Sequence, residues 1–149
     1  MRILGLAAVL LLSAGCGPRS PGPISAVRVS NPWARATAGA AAAGAVYLTL
    51  ESAGGDRLLA VTVPPAVARF AQMHETVRTP GPGGVSELRM RHVEQVELPP
   101  GARTAFAPGQ RHIMLLELAH PLAAGDTFAL ALAFAHAAPE TVHVPVRDE

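Results

Sequence analysis

Fourteen glycines and fourteen prolines divide this 149-residue chain into short apolar runs, and that division constrains its fold more than any other feature. Eight runs of four to eight residues are rich in valine, leucine and other strand-forming residues: 26–29, 45–50, 58–63, 69–76, 87–93, 112–118, 127–134 and 141–146. Short runs between frequent turn signals are typical of a β-sandwich or barrel. The sequence therefore predicts an all-β fold.

Two alanine-rich stretches test that prediction because alanine favours helix. Residues 36–45 contain Gly39 and Gly44, which disfavour a helix, so we expect a loop there. Residues 129–138 follow Gly125-Asp126 and precede Pro139, which suits a strand of a sandwich. We therefore predict no helix in either stretch.

The N-terminus has the pattern of a targeting segment. Arg2 precedes the apolar residues 3–12, and the small residues 13–15 precede Cys16. The pattern predicts a signal peptide at 1–15, a flexible Pro/Gly tether at 16–24 and one folded domain at 25–149. Cys16 resembles the acylated cysteine of a bacterial lipoprotein, which predicts a periplasmic or other extracytoplasmic protein anchored to a membrane by lipid. An ordinary cleaved signal, leaving an unanchored periplasmic protein, is the alternative.

The single cysteine and the balanced charge exclude several functions. Cys16 is the only cysteine, so the chain has no internal disulfide, no Cys-x-x-Cys motif and no thiolate for a blue-copper site. The formal net charge is +1 and no long basic run is present, so nucleic acid is not an expected partner. The sequence contains no Gly-x-Ser-x-Gly and no His-Glu-x-x-His, and we predict that the protein is not an enzyme.

Histidine and methionine recur in three of the apolar runs, at Met73-His74, Met90 and His112-Ile113-Met114. Thioethers are soft, neutral donors that suit Cu(I), and imidazole accepts copper as well. On a strand, side chains two residues apart leave the same face with Cα atoms roughly 6.5 Å apart, so His112 and Met114 could share one ion. His92 could share the face of Met90 as a substitute ligand. The competing interpretation is that these residues only pack in a core.

The same tract resembles the signature of PCuAC periplasmic copper chaperones, His-(Met)-x10-Met-x21-His-x-Met. Twenty-one residues separate Met90 from His112, as in the pattern, but fifteen separate His74 from Met90. The surplus falls in the Pro/Gly tract at residues 79–84, which predicts a surface loop. Further similarity, in the family's order, lies at residues 31–37, 44–50, 56–59, 120–122 and 125–127.

The resemblance implies a cupredoxin-like Greek-key β-sandwich with a surface-accessible site. It implies His74, Met90, His112 and Met114 as ligands of Cu(I). It also implies that copper passes to a copper-accepting or thioredoxin-like assembly protein, with a cytochrome c oxidase copper centre as the final acceptor.

Other residues of interest are expected to have roles other than metal ligation. Met73 would face away from His74, in the core or at the rim, and Glu75 is either an acceptor that orients an imidazole or an exposed carboxylate. Trp33 and Tyr47 are expected to anchor the core. A lipoprotein scaffold or adhesion sandwich that binds no metal is the competing hypothesis for the whole protein.

Overall fold

The computed structural model describes residues 26–148, and they form an almost entirely β structure. A 3-10 turn at Pro82–Gly84 is the only helical element within this range. The ten strands are β1 Val27–Arg35, β2 Ala43–Ser52, β3 Asp56–Thr62, β4 Ala68–Pro80, β5 Ser86–His92, β6 Val96–Leu98, β7 Arg103–Phe106, β8 Arg111–Leu118, β9 Thr127–Phe134 and β10 Glu140–Arg147.

The strands form one continuous sheet that folds into two halves. Its order is β5-β4-β8-β2-β1-β10-β9-β3-β6, and β7 pairs with the second part of β2. The halves β5-β4-β8-β2-β1 and β10-β9-β3-β6 are joined by a short parallel pairing of β1 with β10, at Ala34↔Val146 and Arg35↔Arg147. Every other strand pairing is antiparallel.

The hydrophobic core lies between the two halves. In β9 the buried residues alternate with partly exposed ones, and Leu130 and Leu132 are almost completely inaccessible to solvent. Ile113 and Leu115 of β8 contribute to the same cluster from the other half. Because side chains alternate between the faces of a strand, each half buries one face and leaves its other face outside.

The predicted all-β fold is confirmed, and all eight predicted runs coincide with strands. The short strands β6 and β7 were not predicted. β1 continues through Asn31-Pro32 by means of a bulge, with Asn31 in the left-handed region at φ 51°. The predicted loop at residues 36–45 ends earlier, because β2 begins at Ala43.

The expected signal peptide and the whole of the expected tether, including Cys16, lie outside the described residues. Within residues 26–148 we find no helix of the length and apolarity that crossing a membrane requires.

Candidate metal site

Three neighbouring strands carry the four candidate ligands on one face. His74 lies on β4, Met90 on β5, and His112 and Met114 on β8, in the sheet order β5-β4-β8. His74 pairs directly with His112. Met90 is opposite Thr76, and Met114 is opposite Gln72, both two residues from His74 on β4. Paired residues of antiparallel strands point to the same side, so all four side chains share a face.

That face is the outer face of the sheet. The intervening residues Met73, Ile113 and Leu115 are at most 4% exposed and belong to the core cluster. Met73 therefore lies in the core, on the side of β4 opposite to His74. The core residues and the candidate metal ligands alternate along the same strands.

An open cavity of about 430 Å³ lies over this face, and Met90, His112 and Met114 line it. Its other wall comes from the loop after β1, which includes Thr37. Thr37 is fixed by two hydrogen bonds with Leu122, donating through its backbone N–H and accepting at Oγ1, both at 2.9 Å. The thioethers thus face a preformed hollow that solvent can enter.

The two histidine rings are close enough to hold one ion between them. Their centroids are 5.9 Å apart, and the rings are inclined at 45°. Two imidazoles bound to one metal through bonds of about 2 Å have centroids no more than roughly 6.5 Å apart. The pair meets that condition without moving the backbone.

His74 has a buried nitrogen that nothing in residues 26–148 satisfies. Its Nε2 is 3.1 Å from Gln72 Oε1, which can only accept, so Nε2 carries the proton. Nδ1 is buried and has no hydrogen-bond partner in the described chain. A lone pair that is left unpaired away from water is costly unless a ligand uses it. A metal ion is one ligand that would.

His112 is also held in one tautomer. Its Nδ1 donates to the backbone carbonyl of Gln110 at 3.1 Å, which leaves the lone pair on Nε2. The residue is only 5% exposed. A hydrogen bond to the second ring nitrogen is the usual way in which a protein orients a ligating histidine.

The environment of His74 favours a neutral ring. Burial lowers its pKa below the ordinary value, and the neighbouring His112 and His92 lower it further by charge repulsion. Since only neutral imidazole binds a metal, this shift keeps His74 ready to act as a ligand at mildly acidic pH.

Met90 is the exposed member of the set. It is 64% exposed, and Leu88, two residues earlier on the same face of β5, is 63% exposed. A thioether in this position is directly accessible to a second protein. The set as a whole comprises two neutral nitrogens and two neutral sulfurs, which is chemically suited to Cu(I).

Comparison with known proteins identifies the family. The family described as "Putative lipoprotein LpqE-like" matches residues 27–146 of this chain. The chain belongs to this family. A relative in Leifsonia xyli subsp. xyli, described as "Putative lipoprotein Lxx21020", is 30% identical over 155 residues, covering 99% of this chain and 90% of the relative.

Solved structures with the same fold include PCuAC domains. The copper-bound PCuAC domain from PmoF2 superposes with a TM-score of 0.65 at 22% identity, over 83% of this chain and 93% of that domain. The solution structure of CuI-DR1885 from Deinococcus radiodurans has a TM-score of 0.60 at 20% identity, over 88% and 83% of the two chains. These similarities confirm the predicted cupredoxin-like sandwich and the predicted resemblance to PCuAC domains at the level of the fold.

In this LpqE-like protein Glu75 does not orient a histidine. Its carboxylate lies on the face of β4 opposite to His74 and forms an ion pair with Arg91. The acceptor beside His74 is Gln72, which the sequence reasoning missed. A signal was present, because Gln72 lies two residues before His74 and therefore shares its face on a strand. The contact of His112 uses a backbone carbonyl, which no side-chain pattern reveals.

Trp33 and Tyr47 were predicted to anchor the core, and the structure confirms this only in part, because Tyr47 is buried at 7% exposed whereas Trp33 is only partly buried. Their rings contact each other with centroids 4.6 Å apart, and neither belongs to the core cluster between the two halves. Tyr47 instead lines the cavity over the candidate site. It lies on the outer face because it alternates with Val46 and Leu48, which are buried in the core.

The surplus tract at residues 79–84 is only partly the predicted surface loop. Thr79 and Pro80 continue β4 and pair with Glu87 and Ser86 of β5. The loop that remains is closed by a hydrogen bond from Gly81 N–H to the Val85 carbonyl. The longer spacing therefore extends the β4–β5 hairpin beyond the site, and Met90 stays beside β4.

Proposed function

We propose that this protein is an exported copper carrier that holds one Cu(I) with His74, Met90, His112 and Met114 and transfers it to a partner protein. The observation that carries the proposal is the convergence of these four neutral donors on one outer face, with an unsatisfied nitrogen of His74 among them. Neutral sulfur and nitrogen donors bind Cu(I), and an imidazole whose lone pair holds a metal ion is not free to act as a general base. Binding and delivery fit this set better than an enzymatic reaction does.

Accessibility supports delivery to a partner. The exposed Met90 lies at the open side of the site, so an acceptor could replace this ligand first while both histidines still hold the ion. The copper-bound PCuAC domain and the CuI-DR1885 structure share the fold, which adds support for copper as the cargo. The proposed acceptor is a copper-accepting or thioredoxin-like assembly protein that serves the copper centre of cytochrome c oxidase.

Export through the predicted signal peptide and anchoring by acylated Cys16 complete the proposal. The lipoprotein description of the Leifsonia relative supports the anchor. The proposed boundaries are a signal peptide at 1–15, a tether at 16–24 and the copper-binding domain at 25–149.

The deciding experiment is a Cu(I) titration, without oxygen, against a coloured Cu(I) chelator. The wild-type protein should bind one equivalent. Replacing Met90 and Met114 by leucine, which has a similar volume, removes both thioethers and should weaken Cu(I) binding by at least about 100-fold. The circular dichroism spectrum should not change, because both positions are outside the core.

Met73→Leu is the matched control. Met73 is adjacent to His74 in sequence but is buried on the opposite face, so its replacement should leave Cu(I) affinity unchanged. Equal affinity of the double variant and the wild type would exclude the proposed site and favour the metal-free scaffold. A comparable loss in Met73→Leu would show that the effect is not specific to the outer face.

A further inference from the structure

The β4–β5 hairpin carries a free sheet edge. β5 is the last strand in the sheet order and pairs only with β4. At the two ends of this ladder, Val93 N–H donates to the Met73 carbonyl and Gly81 N–H donates to the Val85 carbonyl. Because hydrogen-bonded pairs alternate along an antiparallel ladder, the odd-numbered residues of β5 bond to β4. The even-numbered residues 86, 88, 90 and 92 therefore direct their N–H and C=O groups away from β4.

This edge lacks most of the features that usually prevent edge pairing. Natural edge strands are protected by shortness, proline, bulges or charged side chains. β6, at the other end of the sheet order, is only three residues long. β5 has seven residues, no proline and a register with β4 that no bulge interrupts. Only its charged side chains, Glu87, Arg89 and Arg91, could keep a second strand away.

Those charges are self-complementary in one register. When two copies of β5 pair antiparallel through their free edges, backbone hydrogen bonds form only if even-numbered residues face even-numbered ones. With Leu88 opposite Leu88 of the second copy, Glu87 of each copy lies opposite Arg89 of the other. Registers centred on residues 87, 89, 90 or 91 instead place like charges opposite each other. Opposite charges across strands stabilise pairing and like charges oppose it, so the charge pattern selects the register centred on Leu88.

Pairing in this register also covers exposed apolar side chains. Of the five large apolar side chains that are exposed in residues 26–148, three are Val85, Leu88 and Met90. The two copies of Leu88 would meet on the two-fold axis, and Met90 would lie diagonally across from Leu88 of the other copy, on the same face. The strand edges would exchange about six backbone hydrogen bonds.

We propose that this protein forms a two-fold symmetric dimer in which β5 pairs with β5 of a second copy, centred on Leu88. The sheets of the two copies then continue into one another, and both candidate metal sites lie on the same face. An interface built on one pair of strands is small compared with that of a permanent dimer, so the association is reversible and depends on protein concentration. This inference goes beyond the proposed function and does not depend on Cu(I) binding.

The test is sedimentation equilibrium of the copper-free protein over a range of concentrations. The wild-type protein should follow a monomer–dimer equilibrium. Arg89→Glu places a carboxylate opposite Glu87 of the second copy, and Glu87→Arg places a guanidinium opposite Arg89. Each single variant should dimerise at least about tenfold more weakly. An equimolar mixture of the two variants should recover the wild-type association, and so should the double variant, because opposite charges face each other again.

Arg103→Glu is the matched control. Arg103 is an exposed arginine paired with Glu51, as Arg89 is paired with Glu87, but it lies on β7. Its replacement should leave the dimerisation constant unchanged. A wild-type protein that stays monomeric at every concentration would overturn the inference. So would a dimer that Arg89→Glu does not weaken, or a mixture of the two single variants that stays monomeric, since the association would then not use the Leu88 register.

Discussion

Asp56 is a buried carboxylate far from the candidate metal site in the sheet order, and it links the start of β3 to the turn after β9. Its two oxygens accept four hydrogen bonds: from Arg57 N–H at 2.7 Å, His136 N–H at 3.0 Å, the His136 ring at 3.2 Å and Ala137 N–H at 2.7 Å. Burial alone would raise the pKa of Asp56, but these donors outweigh it and lower the pKa below 3.8. The charged form is therefore the one that the fold stabilises.

Asp56→Asn should destabilise the protein by about 2 kcal/mol, because a hydrogen bond to a charged group contributes roughly 1.5–3 kcal/mol. The amide also places an N–H donor where Asp56 Oδ2 now accepts from Ala137 N–H. Urea denaturation at pH 7 measures the loss. Copper affinity should not change, which separates this effect from damage to the metal site.

The same substitution should also change how the free energy of unfolding depends on pH under acidic conditions. A carboxylate whose pKa is lowered by folding contributes its stability above the unfolded value of about 3.9, and the contribution is lost as pH falls through the folded pKa. The free energy of unfolding should therefore fall less steeply below about pH 4 in Asp56→Asn than in the wild type. If the free energy of unfolding falls equally steeply with pH in the variant and the wild type, this role for Asp56 is contradicted.

At the scale of elements, β5 is the least supported strand of the metal site. It is an edge strand that pairs only with β4, and most of its side chains are exposed. β8 lies between β4 and β2 and carries Ile113 and Leu115 into the core. The candidate site therefore joins two proposed ligands on the firmly held β8 to one proposed ligand on an edge strand that opens more easily.

Hydrogen exchange should detect this difference. In the copper-free protein, the amides of Ser86–His92 should exchange faster than those of Arg111–Leu118. Loading Cu(I) should slow exchange in β5, because Met90 then binds an ion that is also held by β4 and β8. β9, in the other half, is the internal control and should not change. Identical exchange of β5 with and without Cu(I) would argue against Met90 as a ligand.

The strands and the donor set were predictable from the sequence to different degrees. The apolar runs of four or more residues predicted eight strands, but β6 and β7 are only three and four residues long and give little periodic signal. The chemistry of histidine and methionine indicated copper without any structure. The order β5-β4-β8 depends on pairings between distant segments, and local patterns do not specify which strands become neighbours.

The outer-face residues were harder to predict. Alternation showed that Met73 and His74 face opposite sides, but it did not reveal which side would be the core. Trp33 and Tyr47 were assigned to the core because of their size, yet this sheet has a half-covered outer face where large rings also pack. Gln72 was missed because polar residues beside a ligand look like any solvated position.

For the whole molecule, the shared core should make the two halves unfold together. Only two residue pairs join β1 to β10, but the core cluster contains Leu130 of one half and Ile113 of the other. Trp33, the single tryptophan, reports on the half that carries the metal site. Its fluorescence and the far-ultraviolet circular dichroism should change at the same urea concentration.

Leu130→Ala tests the coupling between the halves. Leu130 is fully buried, and its truncation should cost about 3 kcal/mol. Although β9 is in the other half, the Trp33 transition should shift by the same free energy as the circular dichroism transition. A Trp33 transition that does not move would mean that the halves unfold independently.

Because side chains alternate along β4 and β8, the candidate metal ligands face outward only if these strands pair in the correct register. A one-residue slip of β4 would turn His74 inward and Met73 outward, and the same slip of β8 would turn His112 inward and Ile113 outward. Either misalignment would bury an imidazole and remove a candidate metal ligand. Correct alignment leaves positions 72, 74, 112 and 114, which alternate with the core residues Met73, Ile113 and Leu115, open to chemical change. A scaffold of this kind could exchange one metal preference for another through substitutions on its exterior alone.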